Sequence, residues 1–314
     1  MERAAGSAGR GLIVSLSRQS LHPHHVDDVA AMVRDASGGL RIRGAGTWMH
    51  VGAPVIASQE LHLDAFAGVR RYTPGDLTIS VGAATTLAEL DVTTRAQGQW
   101  CPLLPWGDDR GTIGATLATA TTGPFAEALG RPRDLVLGVE CVDGRGRIVR
   151  AGGRVVKNVA GFDLTRLMIG SWGTLGVITE VHLRLRARPS ADVTLMVEGA
   201  ASEAMRRFVH GALPPLAALP LGEGIARTLG HAGPGSWLLR LGGNAEQVAA
   251  ARAALARLGA CLELAPESWD IVRRELAPEP RAASWPWTPL MQRVRAAFDP
   301  RGVLNPGLLA ERAA

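Results

Sequence analysis

The sequence predicts a mixed α+β chain built as two units, a glycine-rich one over residues 1–190 and a smaller one over 191–297. Helical and strand periodicities alternate along the first 190 residues, which argues against an all-α or an all-β chain. Gly, Pro and Thr punctuate residues 102–124 densely, so that stretch must be loop held by its surroundings. Beyond Pro189 the glycine-rich loops thin out and a plain β-α-β-α-β order remains. The length of 314 residues fits one large domain or two ordinary ones. A content of 46% hydrophobic and 20% charged residues is enough for a core and excludes wholesale disorder.

Val26, Val29, Ala30 and Val33 recur at helical spacing and predict an amphipathic helix over 24–36, ended by Ser37-Gly38-Gly39. Leu40–Arg43 then reads as a short strand running into Gly44-Ala45-Gly46-Thr47, and Leu77–Gly82 as a second alternating strand. Thr86-Leu-Ala-Glu89 has capping-box spacing and opens a helix toward Gln97, stopped by Gly98. Residues 102–124 should be an irregular loop with one short helical turn around Gly114–Ala120. Leu135–Val142, the turn Asp143–Gly146 and Arg147–Ala151 make a hairpin, and Asp163–Ile169 a short helix with Gly170 past its end. From Gly176 the alternation places Val181, Leu183 and Leu185 on one face and Glu180, His182, Arg184 and Arg186 on the other. In the second unit, strands Val193–Val197, Trp237–Leu241 and Cys261–Leu264 alternate with helices Ala201–Leu213 and Asn244–Leu258, an order that suits a small ferredoxin-like cap. The turn-rich tail, 298–314, is expected to pack back on the first unit.

No stretch approaches the roughly 18 uninterrupted apolar residues of a membrane helix. The most apolar tract, Phe208–Leu221, is broken by Pro214, Pro215 and Pro220. The run Gly11–Leu16 is too short for a signal-peptide core, so the expectation is a soluble cytoplasmic protein, peripheral at the inner membrane only through partner subunits. The net charge of +5 comes from basic residues scattered among 29 acids, with aromatics at 4%, which argues against nucleic acid as a partner. Cys101, Cys141 and Cys261 are widely spaced, without any CxxC, and read as ordinary buried thiols rather than disulfide, zinc or iron–sulfur ligands.

Several glycine-rich loops in one unit point to an extended anionic ligand approached closely by backbone N–H groups. A Rossmann dinucleotide loop is excluded: the position of the third glycine after Gly44 and Gly46 holds Met49, and His50-Val-Gly-Ala-Pro54 cannot open a helix. A Walker loop is excluded for want of Gly-Lys-Ser/Thr.

Four blocks carry a resemblance: Arg43–Thr47, Gly111–Thr119, Val156–Leu167 and Gly170–Glu180. In this order they resemble the PCMH-type FAD-binding domain (two α+β subdomains) of the vanillyl-alcohol oxidase / p-cresol methylhydroxylase superfamily. Within that superfamily they are most similar to the short FAD-binding subunits of bacterial glycolate oxidases. The likeness covers residues 20–190 and the tail near 298–307. It implies that the loop Arg43, Gly44, Ala45, Gly46 and Thr47 wraps the FAD pyrophosphate. Gly111, Thr112 and Gly114 would approach the ribityl chain and ring system, with Thr119, Thr122 and Gly123 at the polar end of that loop. Gly173, Thr174, Gly176, Val177 and Ile178 would cup the adenine side. Some relatives attach the flavin through His or Cys. Thr47 follows Gly46 here, so noncovalent FAD is expected, with His50 and Cys101 the only nearby candidates for attachment.

The resemblance further implies an oxidoreductase subunit that works with a larger catalytic flavoprotein subunit and an iron–sulfur subunit to oxidise glycolate to glyoxylate. Catalytic relatives carry H-x-G-D-G-x-x-H. The nearest run here, His231–Leu238, has Pro234 for the acid and Leu238 for the second His, so no metal ligand and no catalytic residue is assigned. A self-sufficient oxidase of another 2-hydroxy acid or alcohol, and a structural subunit without turnover, stay open. Asp163 with Arg166 reads as a structural ion pair, Lys157 as a surface contact, and His22, His24 and His25 as a loose surface group.

Overall fold

The computed structural model describes residues 18–107, 109–153, 163–230, 235–277 and 288–309. Its first helix, Val26–Asp35, buries Val29, Ala30 and Val33, the residues whose spacing predicted it. One Asp28 carboxylate oxygen accepts from the N–H groups of His25 (2.8 Å) and His24 (2.9 Å), which holds its carboxyl below the usual range. The apolar face covers a small parallel sheet whose strands lie in the spatial order Gln19–Leu21, Gln59–His62, Leu40–Arg43. The strands Gln19–Leu21 and Gln59–His62 were not anticipated, because strands of three or four residues carry almost no periodicity.

A five-stranded antiparallel sheet forms the second layer, in the order Val69–Thr73, Thr78–Gly82, Gly176–Arg184, Val136–Asp143, Ile148–Gly152. Its central strand has the alternation the sequence predicts. Val181, Leu183 and Leu185 are buried in the main core with Ile79, Val139 and Ile113. On the opposite face His182 Nδ1 lies 2.8 Å from Ser80 Oγ. The hairpin turn is held by buried Asp143, which accepts the N–H groups of Arg145 and Arg147, both at 3.0 Å. The helix Leu87–Arg95 begins at Thr86 with its capping box formed.

Residues 113–119 differ from expectation. A helix of two turns, Ile113–Thr119, replaces the single turn, and Ile113 and Leu117 on it are fully buried. The threonines that spoke against a helix return their hydroxyls to it: Thr112 caps the N–H of Ala115, Thr116 donates to the Thr112 carbonyl and Thr119 to that of Ala115.

In the second unit four antiparallel strands lie in the order Ala217–Pro220, Trp237–Gly243, Ala191–Glu198, Ala260–Leu264. Ala217–Pro220 lies in the proline-broken tract and was not expected as a strand. It sits at the sheet edge, where proline's missing N–H is tolerated. A shared apolar cluster joins the two units, with Trp100, Phe125 and Leu129 packed against Met196, Leu238 and Trp269. The Arg240 guanidinium, held by Asp192 at 2.6 and 2.8 Å, lies over both the Trp100 and Phe125 rings.

The segment after Phe298 returns to the small parallel sheet. Val303 and Leu304 are buried against Val29 and Leu40, and the Leu40 N–H donates to the Val303 carbonyl (2.7 Å). Buried Asp299 accepts the N–H groups of Val303 and Leu304 and shapes this turn.

Candidate functional site

Strand Leu40–Arg43 ends in the loop beginning at Gly44, and that loop forms one wall of a groove of about 340 Å³. Opposite it run the helix Ile113–Thr119 and the segment Trp172–Ile178. Asn305 and Leu308 close one end. Of the residues assigned from sequence, Gly44, Gly46, Thr47, Thr112, Gly114, Thr119, Gly173, Gly176 and Ile178 line this one groove. Segments more than 250 positions apart in the chain therefore meet there.

The remaining assigned residues lie elsewhere. Ala45 is exposed on the loop, and the Arg43 guanidinium turns to Glu60 at 3.0 Å. The Gly111 carbonyl accepts the Leu87 N–H, and the Thr122 carbonyl accepts that of Trp106. Gly123 packs so tightly on the Leu104 carbonyl that any side chain would collide with it. Thr174 donates to the Ser171 carbonyl (2.7 Å), and Val177 is wholly buried beside Val29 and Leu40. Of the third block, residues 156–162 and with them Lys157 lie outside the described residues, as do 231–234 of the His231–Leu238 run. Asp163 and Arg166 form the expected ion pair, at 3.0 Å.

Two glycines owe their identity to close approach. A Cβ on Gly114 would lie 2.9 Å from the Ala83 carbonyl oxygen, so helix Ile113–Thr119 could not seat against the chain at Ala83. Gly173 has φ +67°, and its Cβ would stand 2.8 Å from Asn305 Nδ2.

Asn305 was not singled out by sequence reasoning, yet it fastens the groove. Its Oδ1 accepts the Ile42 N–H and its Nδ2 donates to the Trp172 carbonyl, both at 2.9 Å. Trp172 itself adopts φ +55°, rare for a bulky side chain, and is held there by that bond and by its N–H to the Ala118 carbonyl (2.8 Å). Its ring meets Trp48 edge to face, centroids 6.5 Å apart, and both indoles face the groove. The signals available in sequence were slight: Trp172 sits inside the fourth block, and Leu304-Asn-Pro-Gly307 reads only as a turn.

The groove is prepared for a polar anion at the Gly44 end. Among the described residues, the N–H groups of Ala45, Gly46 and Thr47 meet no acceptor. Thr47 Oγ1 is buried without a hydrogen-bond partner. A buried hydroxyl left unpaired is costly, so a ligand atom is the natural partner. Arg18 and Arg41 line the same wall. Burial pulls the Arg41 guanidinium below its ordinary value, and neighbouring Arg18 adds to that, while Glu60 acts against it. A polyanion beside these groups would oppose both effects by favouring the charged guanidinium. Cys101 lies outside the groove lining, and burial pushes its thiol up to about 12.

The donor set, the orphaned hydroxyl and the paired indoles fit a dinucleotide with a pyrophosphate and planar rings. Residues 18–152 match the family described as FAD binding domain. Over those residues the chain is similar to FAD-binding domains. Among solved structures, an alkyldihydroxyacetonephosphate synthase has the same fold, with a TM-score of 0.69 at 17% identity over 82% of this chain and 54% of the other. Among curated proteins, glycolate oxidase subunit GlcE of Escherichia coli K12 is 37% identical over 179 residues, covering 56% of this chain and 51% of that protein. A D-lactate dehydrogenase of Archaeoglobus fulgidus is 34% identical over 167 residues, covering 52% of this chain and 37% of its own. Glycolate oxidase subunit GlcD of Bacillus subtilis is 36% identical over 121 residues, covering 38% and 26%. The chain thus spans about half the length of the first of these relatives and less of the others. Among the described residues, no helix is long and apolar enough to cross a membrane.

Proposed function

We propose that this chain is the FAD-binding subunit of a 2-hydroxy-acid oxidase or dehydrogenase complex that oxidises glycolate to glyoxylate. In this reading a larger catalytic flavoprotein chain and an iron–sulfur chain complete the assembly. The observation that carries the proposal is the loop Gly44–Thr47, with its free N–H groups and buried, partnerless Thr47 hydroxyl, at the head of the groove. These groups would grip the pyrophosphate, with Arg18 and Arg41 supplying the opposing charge. Gly44, Gly46, Thr112, Gly114, Thr119, Gly173, Gly176 and Ile178 would let the backbone follow the rest of the dinucleotide, and Trp48 and Trp172 would flank it. Bound FAD supplies the chemistry, accepting a hydride equivalent and releasing electrons singly. The chain's own part is to bind, orient and shield.

Among the described residues lining the groove there is one histidine, the exposed His50, and no carboxylate. This favours a relay role over a self-sufficient oxidase, with the base for the hydroxy acid supplied by the partner flavoprotein. Residues 191–297 are read as a cap domain, a view supported by their strand order, which counted within the unit is 2-3-1-4.

The test is the absorbance spectrum of the purified full chain before and after acid precipitation, followed by anaerobic glycolate with and without partner chains. Flavin should leave with the supernatant, and bleaching should require the partners. Bleaching by glycolate in the isolated chain would establish the self-sufficient alternative. A colourless protein that takes up no added FAD would remove the proposal altogether.

A further inference from the structure

Away from the groove, the parallel pairing of Gln19–Leu21 with Gln59–His62 brings two histidines side by side. Leu21 is in register with Leu61, so the next residues, His22 and His62, stand opposite one another at the ends of their strands. Their rings stack with centroids 4.6 Å apart and planes inclined by 26°. Two residues beyond His62 the chain enters the short 3-10 turn Asp64–Phe66, which returns the Asp64 carboxylate to the same spot. One ligand atom from each of His22, His62 and Asp64 lies within 4.8 Å of the others, and His62 Nδ1 is 3.9 Å from Asp64 Oδ2.

The other nitrogen of His62 completes the pattern. Nε2 is buried and makes no hydrogen bond of good geometry, but Glu60 Oε1 lies 3.2 Å from it. A carboxylate behind a histidine, facing the nitrogen that does not ligate, fixes the tautomer and raises the basicity of the ligating nitrogen. Glu60 is itself held by Arg43, at 3.0 Å, so the arrangement is anchored on the sheet. Tetrahedral zinc places its ligands about 2.0–2.2 Å from the metal. His22 and Asp64 are exposed, so their side chains are free to turn toward that geometry.

We propose that His22, His62 and Asp64 form a binding site for a borderline divalent transition metal ion, with Zn2+ the best match and water in the fourth position. Two imidazoles and one carboxylate suit Zn2+ over Mg2+ or Ca2+, which prefer all-oxygen shells. The site ties the first strand to the strand behind the Gly44 loop, and its role is to fasten that edge of the parallel sheet. It is independent of the assignment of the FAD groove.

The experiment titrates Zn2+ into the untagged, chelator-treated full chain by isothermal calorimetry, with Mg2+ as the control, for wild type and the variants His22→Gln, His62→Gln and Glu60→Gln. One Zn2+ per chain should bind, saturable binding should vanish in both histidine variants, and Glu60→Gln should weaken it by about 10–100-fold. Mg2+ should give no saturable heat. His22 is exposed, so His22→Gln should keep the wild-type circular dichroism and thermal midpoint without metal, and that variant decides the matter where His62→Gln is misfolded. Absence of saturable Zn2+ binding in wild type, or its survival in His22→Gln, would overturn the assignment.

Discussion

Replacing Asn305 with alanine removes both bonds that join the tail to the groove. The Ile42 N–H loses its only acceptor, at 2.9 Å in a part-buried position, and an unsatisfied buried donor costs about 1–3 kcal/mol. The Trp172 carbonyl loses its donor, and because water can reach part of this segment the loss is about 0.5–1.5 kcal/mol. Asn305 has φ +43°, and holding an alanine in that left-handed region costs about 1–2 kcal/mol. Together these give a destabilisation of roughly 2.5–6.5 kcal/mol for Asn305→Ala. Asn305→Gly keeps the first two losses and escapes the third, so it should lie about 1 kcal/mol closer to wild type. Equilibrium urea unfolding measures both, and the slope should stay unchanged while the midpoint falls. The same variants should release FAD more readily, on the order of tenfold in Kd, because Trp172 and Gly173 lose their fixed distance from Ile42. An Asn305→Ala protein within about 1 kcal/mol of wild type and equally tight for FAD would refute the clamp.

Arg273 is buried at 3% side-chain exposure and donates to the Pro105 carbonyl (2.8 Å) and to Asp109 (2.7 Å), bridging the second unit to the 102–111 loop. Arg273→Met should cost about 3 kcal/mol, the low end for a broken buried pair because Asp109 is partly exposed, and Arg273→Lys should not restore it; urea unfolding decides, and a lysine variant matching wild type would contradict the forked geometry. Thr47→Val should leave the FAD-free protein as stable as wild type or slightly more so, yet weaken FAD binding by about 3–10-fold, read by flavin fluorescence quenching; equal affinity would take Thr47 out of the site. Burial raises the Cys101 and Cys141 thiols from 9.0 to about 12, whereas Cys261, expected from sequence to be buried too, is exposed at the sheet edge. A thiol reagent at pH 8 should therefore modify one cysteine in the folded protein and three in denaturant. Because the folded state holds these two protons more tightly, the stability they confer is complete below pH 9 and should drain away as the pH rises toward about 12.

Much of the framework was legible in the residues. Val29, Ala30 and Val33 marked a helix face, the alternation from Val181 to Leu185 marked the central strand, and Asp143–Gly146 marked a hairpin turn; all three are local signals and all three are present. The run Ile113–Thr119 was under-read because threonine's helix penalty assumes a hydroxyl competing with the backbone, and here Thr112, Thr116 and Thr119 satisfy backbone groups of the same helix. Gln19–Leu21 and Gln59–His62 went unseen because they exist only through pairing, with Gln59–His62 lying between Leu40–Arg43 and Gln19–Leu21.

By itself the sequence determined that small residues cluster in loops flanking strands, that no Rossmann or Walker loop is present, and that the first unit resembles an FAD-binding domain. Those are properties of short windows, where side-chain size and backbone freedom act directly. Only the tertiary structure decided which small residues open onto the groove and which serve packing between segments, as Gly44 and Gly46 do the first while Gly123 meets the Leu104 backbone. It also decided that Asn305, 263 positions from Ile42, closes the site, and that His22 meets His62. A glycine reads the same in sequence whether the space beside it holds a ligand or another strand, and a hydrogen bond across such a distance leaves no local trace in the residues that make it.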